Sequence, residues 1–278
     1  MISKETANYK VSKALNGIEI VDAYYKTQTF SRHVHEGYTI GVIEQGAQRF
    51  FRSGENHLAD SNSIILVNAD DVHTGESATE GGWHYRAIYP TPEHFALISD
   101  DLIGGNSLTP YFRESVIHDQ RIASQLRLIM DQIEEGASVL LIETLMYSTL
   151  LALATQYGRT QALPKDIGVN GHKLKLAKEF LEAYPETDVS LDALSGVAGC
   201  SKYHFIRQFG KSFGISPHAY QIQVRLIKAK QLLKAGVSIA DVSHDCGFHD
   251  QSHLTRHFKK ALGTTPKQFQ RQAILYKN

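Results

Sequence analysis

Residues 201–217 read SKYHFIRQFGKSFGISP, and residues 250–266 read DQSHLTRHFKKALGTTP. The second stretch repeats the first at a constant offset of 49 residues. The identical pairs are His204 and His253, Arg207 and Arg256, Phe209 and Phe258, Lys211 and Lys260, Gly214 and Gly263, and Pro217 and Pro266. A repeat this dense indicates that the C-terminal third of the chain contains two copies of one small helical unit.

Each copy has the pattern of two short helices joined by a turn. In the second copy, Ile239, Val242 and Cys246 recur at helical spacing. Gly247 follows where a left-handed residue ends a helix, and Asp250 stands where a side chain caps the next helix. The matching positions of the first copy are Leu191, Leu194, Val197, Gly199 and Ser201. We predict that Phe205 and Phe209, like Leu254 and Phe258, form the buried side of the second helix in each copy. This pattern is a helix-turn-helix.

The outer face of each second helix carries polar and basic residues. These are Lys202, Tyr203, Ile206 and Arg207 in the first copy, and Gln251, Ser252, Thr255 and Arg256 in the second. A helix fits the major groove of DNA, where arginine and glutamine pair with guanine and adenine edges. The alternative is a pair of solvated hairpins in a helical bundle, but both copies keep the outward arginine, which favours DNA binding.

The segment between the copies, Pro217 to Ala235, has apolar residues at helical spacing. They are Tyr220, Val224, Ile227 and Leu232. We predict one long helix that fixes the two units relative to each other. Two second helices held in this way could enter successive major grooves, roughly 34 Å apart.

Residues 172–272 resemble the DNA-binding domain of AraC/XylS-type bacterial transcription regulators, most closely over IADVSHDCGFHDQSHLTRHFKKALGTTPKQF. The resemblance implies a domain of seven helices with base contacts from the eight outer residues named above. Ile206 departs from the family, in which a polar residue is common there. It either contacts a thymine methyl group or leaves the first copy with fewer base contacts. RNA polymerase is a further expected partner if the protein is an activator.

Charge divides the chain in two, although its formal net charge is zero. Residues 171–278 contain 16 Lys and Arg against 8 Asp and Glu, a net charge of +8, which suits a phosphate backbone. Residues 1–170 carry a net charge of −8, which DNA would repel, so we expect them to have a function other than DNA binding. The two cysteines, Cys200 and Cys246, have no metal-binding spacing and suggest a reducing cytosol.

We expect a cytoplasmic protein with no membrane contact. The N-terminal MISKETANYK has no apolar run and does not resemble a signal peptide. No stretch approaches the roughly 18 apolar residues that a membrane span requires, since polar residues interrupt the nearest one, Leu140 to Leu153.

The N-terminal half predicts β-structure. The expected strands are Ile18 to Tyr25, Tyr38 to Ile43, Gln48 to Arg52, Ile64 to Val67 and Trp83 to Tyr89. Turn residues such as Gln45-Gly46 separate them, which is typical of a sandwich or barrel. Residues 15–90 resemble the cupin-type sensor domain of many AraC-type regulators. That resemblance implies that His33, His35 and the later His73 converge inside a barrel that binds a small effector.

Three histidines are enough to hold a divalent metal with one open position. Metal-binding cupins add a glutamate shortly after the histidine pair, and Thr39 and Ile40 stand there instead. The alternative is that the histidines are hydrogen-bonding groups of a polar pocket, and the missing carboxylate favours this interpretation. The candidate effector-binding residues are Arg32, His33, His35, Tyr38, His73, Glu76, Trp83, Tyr85 and Arg86. An arginine among them would suit a carboxylate effector.

Residues 116–157 predict two helices that cover the barrel. The first has Val116, Ile122, Leu126, Ile129 and Ile133 at helical spacing, and Gly136 ends it. The second has an apolar stripe of Leu140, Leu141, Leu145, Leu150 and Leu151. This stripe is either buried in the monomer or forms a homodimer contact. The predicted domains are therefore 1–157 for effector binding and dimerisation, a linker at 158–171, and 172–278 for DNA binding.

The predicted fold is an α+β protein with a cupin-like barrel and a helical double helix-turn-helix domain. The leading hypothesis is a transcription regulator, not an enzyme, controlled by a small molecule. A second hypothesis is a metal-dependent cupin enzyme attached to a DNA-binding domain, which depends only on His33, His35 and His73. A third is a ligand-independent regulator whose barrel serves for dimerisation.

Overall fold

The computed structural model describes residues 5–12, 15–103, 109–160 and 169–275, without the side chains of 98–103, 160, 169–171, 203 and 274–275. The chain forms two compact units, one from residues 1–30 and 34–161 and the other from residues 162–274. Residues 31–33 lie in a strand that pairs within the N-terminal sheet. We refer to these as the N-terminal and the C-terminal unit.

An antiparallel sheet forms the body of the N-terminal unit. Its strands are β1 (Thr6–Ser12), β2 (Ile18–Tyr25), β3 (Phe30–His33), β4 (Thr39–Arg52), β5 (Glu55–Asp60), β6 (Ile64–Val67), β7 (His73–Ser77), β8 (Trp83–Tyr89) and β10 (Val116–Ile117). The main order is β1-β2-β8-β4-β6-β10, with β3 beside β7 and both β5 and β7 beside β4. A small second sheet pairs β9 (Pro110–Phe112) with β11 (Gly158–Thr160).

Three helices pack on one face of this sheet: α1 (Pro92–Ile103), α2 (Gln120–Glu134) and α3 (Val139–Gln156). Alternate residues of the central strands, including Ile20, Ile40 and Ile88, are buried together with Leu126 of α2 and Leu150 of α3. Strand side chains at these alternate positions therefore face the helices. Residues of the other parity form what we call the inner face of the sheet.

Seven helices form the described part of the C-terminal unit, as the family resemblance implied. They are α4 (Val169–Ala183), α5 (Leu191–Ala198), α6 (Lys202–Phe213), α7 (Pro217–Ala235), α8 (Ile239–Asp245), α9 (Gln251–Leu262) and α10 (Pro266–Leu275). Serine or aspartate caps each of α5 to α9, and a left-handed glycine follows α5, α6, α7 and α9. The predicted α+β fold with two helix-turn-helix units is confirmed.

Several N-terminal elements differ from the sequence-based expectation. The two strands predicted around Gln45-Gly46 are one long strand, β4, with a bulge between Ile43 and Gln45. Gly46 has a φ of 72° and lies so close to the backbone of Gly82 that a Cβ atom would clash, so glycine here marks a bulge and not a turn. Val116 belongs to strand β10 instead of the first predicted helix.

The predicted apolar stripe of α3 is divided: Leu150 is buried, Leu145 and Leu151 are partly buried against the core, and Leu140 and Leu141 are exposed. The buried residues of this helix are Ile142, Met146, Thr149, Leu150 and Leu153. Because α3 is apolar on every side, sequence periodicity could not identify its inward face. Over 18 residues, α3 has a mean hydropathy of 1.4, so by length and composition it could cross a membrane, contrary to our expectation. Helices that pack in soluble cores satisfy the same criterion.

Two further predictions, for the long helix α7 and for the linker before the C-terminal unit, differ from the structure. Helix α7 exists and buries Tyr220 of the predicted stripe, but its other buried apolar residues include Ile222, Leu226, Ala229 and Leu233, because it packs against α4, α6, α8 and α9. The remaining predicted residues, Val224, Ile227 and Leu232, are half-buried. Of the linker expected at 158–171, the first three residues form β11 and the last three belong to α4. Residues 161–168 lie outside the described residues.

Candidate nucleic-acid interface and ligand-facing sheet

The two helices predicted to contact DNA, α6 and α9, each expose one polar face, and we call them the reading helices. Lys202 and Arg207 are exposed on α6, as are Gln251, Ser252 and Arg256 on α9. Opposite these faces, Phe205, Phe209, Leu254 and Phe258 are fully buried, as predicted. Burial of the phenylalanine side therefore fixes which residues point to solvent.

Three of the predicted base-contacting residues need separate description. Ile206 is 41% exposed, so a large apolar side chain stands on the outer face of α6. Thr255 is only half-buried in α9. The side chain of Tyr203 lies outside the described residues. Lys202 forms an ion pair of 2.7 Å with Asp192 of α5, and this exposed pair would be weak enough to yield to a phosphate group.

The turns of the two motifs differ in length. Three residues separate α5 from α6, whereas five separate α8 from α9. The N-caps of the first helices, Ser190 and Ser238, are 48 residues apart, but those of the reading helices, Ser201 and Asp250, are 49 apart. The extra residues include Phe248, which is buried and packs edge-on against the ring of His253.

One loop before α5 joins both motifs to the long helix α7. Buried Arg225 of α7 donates from Nε to the carbonyl of Pro185 at 2.7 Å, and Gln221 donates to that of Thr187 at 2.8 Å. Burial lowers the pKa of Arg225, and the negative charges of Asp188 and Glu186 partly offset this shift. Glu186 of the same loop lies against Gly247 of the second motif, with its carbonyl oxygen 2.5 Å from where a Cβ atom would be. No sequence pattern predicted the role of this loop.

The inner face of the N-terminal sheet is rich in aromatic side chains. On β8, Arg86 pairs with Asp131 of α2 and Ile88 lies in the helix-facing core, so residues 83, 85 and 89 face the other way. Trp83 is fully buried and its ring centroid is 5.3 Å from that of Tyr25. Tyr85 and Tyr89 bring their hydroxyl groups within 3.4 Å.

Burial governs the chemistry of these groups. It raises the pKa of Tyr9, Tyr25, Tyr85 and Tyr89, so their hydroxyls remain neutral hydrogen-bonding groups. Nε1 of Trp83 is buried and has no hydrogen-bond partner among the described residues. A buried indole N–H usually has an acceptor, so this donor is available to a bound molecule.

The three predicted histidines converge. One nitrogen from each of His33, His35 and His73 lies within 4.8 Å of the others. His33 and His35 were predicted to share one strand, but β3 ends at His33. The rings of His35 and His73 are 5.0 Å apart, and Tyr89 packs edge-on against His35 at 5.3 Å. The cluster therefore adjoins the row of tyrosines.

Four of the predicted effector residues are placed elsewhere. Arg32 is exposed, and Glu76 pairs with Arg49 at 3.6 Å in partial exposure. Tyr38 faces the helices, where its hydroxyl donates to the carbonyl of Pro110 at 2.7 Å and burial raises its pKa to about 12. Arg86 also faces the helices, so neither arginine supplies a partner for a carboxylate on the inner face.

Further inner-face residues were missed by the sequence-based prediction. They are Tyr9, Glu19 and Tyr25, with Tyr89 at the end of β8. Strict alternation along β2 and β8 could have identified Glu19, Tyr25 and Tyr89, since the helix-facing residues Ile20 and Ile88 belong to the opposite parity. Tyr9 lies on β1, a strand that was not predicted.

Comparison with known proteins identifies the family. Residues 15–150 match the model of the AraC-like ligand binding domain, and residues 194–272 match that of a helix-turn-helix domain. An uncharacterized HTH-type transcriptional regulator from Bacillus subtilis (strain 168), YbfI, is 32% identical over 227 residues, which cover 82% of each chain. This chain belongs to the AraC family. It is a DNA-binding transcription regulator with an N-terminal ligand-binding domain.

More distant relatives agree. The HTH-type transcriptional activator RhaS from Enterobacter sp. (strain 638) is 24% identical over 250 residues, or 86% of this chain and 87% of RhaS. The crystal structure of ToxT from Vibrio cholerae O395 has the same fold, with a TM-score of 0.57 at 13% identity over 94% of this chain and 98% of ToxT.

Proposed function

We propose that this AraC-family regulator contacts DNA bases through the outer faces of α6 and α9, and that a small molecule on the inner face of the N-terminal sheet controls it. The observation that carries the first part is the exposed arginine at the same position of both reading helices, Arg207 and Arg256. A guanidinium group can pair bidentately with guanine, and the basic C-terminal unit adds attraction to phosphates. Five of the other six predicted contacts lie on the same faces, and the sixth, Tyr203, has a side chain outside the described residues.

A binding titration tests this proposal. Duplexes would first be selected from a random pool by the wild-type protein, and affinity would then be measured at fixed salt. Arg207→Ala and Arg256→Ala should each weaken specific binding by about 1–3 kcal/mol, roughly 5- to 150-fold, and relax the preference at one base pair. Lys175→Ala removes the same charge from the exposed surface of α4 and serves as the control. Full sequence-specific affinity in both arginine variants would refute the assignment.

The chemical groups on the inner face of the sheet support an effector site there. Neutral tyrosine hydroxyls, the histidine cluster and Nε1 of Trp83, which has no partner within the part of the chain that the structure describes, form a hydrogen-bonding surface among aromatic rings. Such a surface suits a small polar molecule with apolar or ring faces. The relatives carry regulator names, which supports sensing instead of catalysis and a cytoplasmic location.

Trp83 makes this site measurable, because it is the only tryptophan in the chain. A ligand that reaches the inner face should change its fluorescence and raise the melting temperature of the protein. Amino acids, sugars and aromatic acids would be screened in this way. Ligands that raise the melting temperature of wild-type protein and of Tyr85→Phe equally, without any change in fluorescence, would place the site elsewhere.

Helix α3 supports a homodimer. Only 28% of its apolar length is buried, and Leu140 is 74% exposed beside the exposed Val139 and Leu141. A groove of about 510 Å³ between α1 and α3 continues this surface past Leu97 and Tyr147. A second copy would cover both by packing α3 against α3 around a two-fold axis.

Sedimentation equilibrium would test the dimer. Leu140→Glu should weaken association by at least tenfold, because a carboxylate would be buried without a partner. Leu58→Glu makes the same change at an exposed leucine of β5 and is the control. Equal association of the two variants, or a monomeric wild-type protein, would exclude this surface.

A further inference from the structure

The loop between β6 and β7, residues 68–72, contacts the inner face on one side and strand β9 on the other, and we call it the connector loop. On the first side, the backbone N–H of Asp70 donates to the carbonyl of His35 at 2.9 Å. Nδ1 of His73 is 2.9 Å from the carbonyl oxygen of Asp71, and since a carbonyl only accepts, the histidine donates this bond. A molecule that displaces either ring therefore acts directly on the connector loop.

On its other side, the connector loop holds β9 through a buried network. Oδ1 of Asn68 accepts from the backbone N–H of Phe112 at 2.8 Å, and Nδ2 donates to the carbonyl of the same residue at 3.1 Å. Arg52 of β4 is fully buried and donates to that carbonyl at 2.7 Å. The carboxylate of Asp71 accepts from Arg52 at 2.8 Å and from Asn68 at 3.0 Å. Removing one member would leave a buried charge without its partner, so the network resists partial opening.

Strand β9 in turn provides the edge on which β11 pairs. Backbone groups alternate in direction along a strand, and those of Phe112 face the buried network. Those of Tyr111 therefore face β11, where Arg159 lies opposite. The ladder covers only Gly158 to Thr160, and so short a two-stranded sheet is not stable without support. The pairing of β11 thus depends on the network that holds β9.

The position of β11 in the chain gives this pairing a consequence. Residues 161–168 connect β11 to α4, the first helix of the C-terminal unit. Release of β11 would add its three residues to these eight and extend their maximum reach by about 10 Å. Paired and released β11 are therefore two states that differ in the length of chain between the ligand-binding and the DNA-binding unit. Such a length sets how readily a tethered unit meets its site.

We propose that the connector loop, Arg52 and Asn68 form a switch that sets whether β11 stays paired with β9. A molecule bound at His35 and His73 would then control the length of chain between the two units. This inference rests on the proposed function, because it takes the inner face as the effector site and the C-terminal unit as the DNA reader. Arg52 is a positioning residue in this switch, since it acts on β11 through the carbonyl of Phe112.

A double-mutant cycle in full-length protein tests the switch. Hydrogen exchange would be followed by mass spectrometry in peptides that contain β11 and, as an internal reference, in peptides of α2. Arg52→Lys keeps the charge but loses the planar fork of donors. It should speed exchange in β11 by about tenfold or more and leave α2 as in the wild type. Arg49→Lys makes the same change at an exposed arginine of β4 and should alter neither.

The second substitution of the cycle stands in for a displaced ring. His73→Phe keeps a ring of similar size and removes the bond to the carbonyl of Asp71. It should speed exchange in β11 by about threefold or more in the wild type. In the Arg52→Lys background it should add nothing, because the route to β9 is already broken. His118→Phe, at an exposed histidine of the same unit, should have no effect in either background.

Circular dichroism and melting curves would show that each variant folds. If Arg52→Lys does not fold, Asp71→Asn replaces it, because this side chain is 28% exposed and the amide has the same shape. Equal acceleration of β11 and α2 would make Arg52 merely structural and overturn the proposal. Independent effects of the two substitutions in the double variant would also overturn it. Failure of the proposed function would appear elsewhere, in the DNA titration of the arginine variants and in the fluorescence screen.

Discussion

The two helix-turn-helix motifs share their buried residues and differ at their turns and outer faces. Phe209 and Phe258 occupy the same fully buried position, yet the second motif has two more residues between its helices. Its reading helix starts at a charged cap, since Asp250 accepts from the backbone N–H of His253 at 2.7 Å, whereas Ser201 accepts at 3.3 Å. The repeat has therefore kept one packing scheme and varied what surrounds it.

Because of this difference, we expect the two motifs to recognise bases with unequal selectivity. The first motif presents Ile206 and a lysine held by Asp192, whereas the second presents Gln251 and Ser252 without an apolar residue at the matching exposed position. Hydrogen-bonding side chains discriminate bases more strongly than an apolar contact with a thymine methyl group. We expect two unlike half-sites, with the second motif the more selective.

The largest contrast should appear at the two left-handed glycines of the turns. Gly199→Ala forces a side chain into the left-handed region, which costs about 1–2 kcal/mol, and meets only the mobile end of Lys173. Gly247→Ala has the same backbone cost but also meets the carbonyl of Glu186 at 2.5 Å, so roughly 1–3 kcal/mol more is expected from the forced backbone shift.

Urea unfolding followed by helical circular dichroism would compare these two variants with wild type. The loss in the free energy of unfolding should be clearly greater for Gly247→Ala. Equal losses would mean that the loop around Glu186 does not constrain the second turn.

A smaller contrast is expected for base recognition. Gln251→Ala should reduce specific DNA affinity by about 1–3 kcal/mol if the amide pairs with adenine, whereas Ile206→Ala should cost less because it removes only apolar contact. Binding would be measured on the selected duplex and on duplexes with single base changes. A greater loss for Ile206→Ala would reverse the proposed order of the motifs.

The smallest contrast concerns pH. The ring of His257 packs 4.6 Å from that of His253 and near Phe248. Partial burial, then the positive potential of His253, Arg256, His218 and Lys260, lowers the pKa of His257 from 6.5 to about 4. Between these values the unfolded chain binds a proton that the folded chain does not. The stability of the C-terminal unit should therefore fall as pH decreases from 6.5 towards 4.

The first motif has Gln208 at the position of His257, so His257→Gln transfers a side chain that does not titrate. This variant should lose less stability than wild type over the same pH range. His249→Gln, at a highly exposed histidine, should retain the wild-type dependence. Melting temperatures across the range would be compared, and an unchanged dependence in His257→Gln would assign it to other groups.

The C-terminal unit could be predicted well because its repeat contains local signals. Caps such as Ser201 and Asp250, and the spacing of Phe205 and Phe209, depend only on neighbours in sequence. The offset between the first helices could not be predicted, since the match of Asp192 with Asp241 suggested 49 and the caps differ by 48. An insertion in a turn changes the residue types too little to be recognised from the sequence.

The N-terminal unit was harder because its side chains are sorted by non-local pairing. Strands β1, β3, β5 and β7 and helix α1 were missed, and the inward side of α3 could not be chosen because this helix is apolar all round. The convergence of His33, His35 and His73 came from resemblance, not from spacing. The placement of Arg86 toward the helices depended on Asp131, a partner that no sequence pattern connects to it.

The bonds from Arg225 and Gln221 to the loop at Pro185 and Thr187 have a consequence for the regulated promoters. In the proposed complex with DNA, these bonds and the contact of Glu186 with Gly247 restrain the angle between α6 and α9. One base pair inserted between the half-sites would turn one of them by about 34° about the duplex axis, and the protein could follow only by bending the DNA or breaking buried bonds. Operators of this regulator should therefore tolerate changes of sequence far better than changes of spacing.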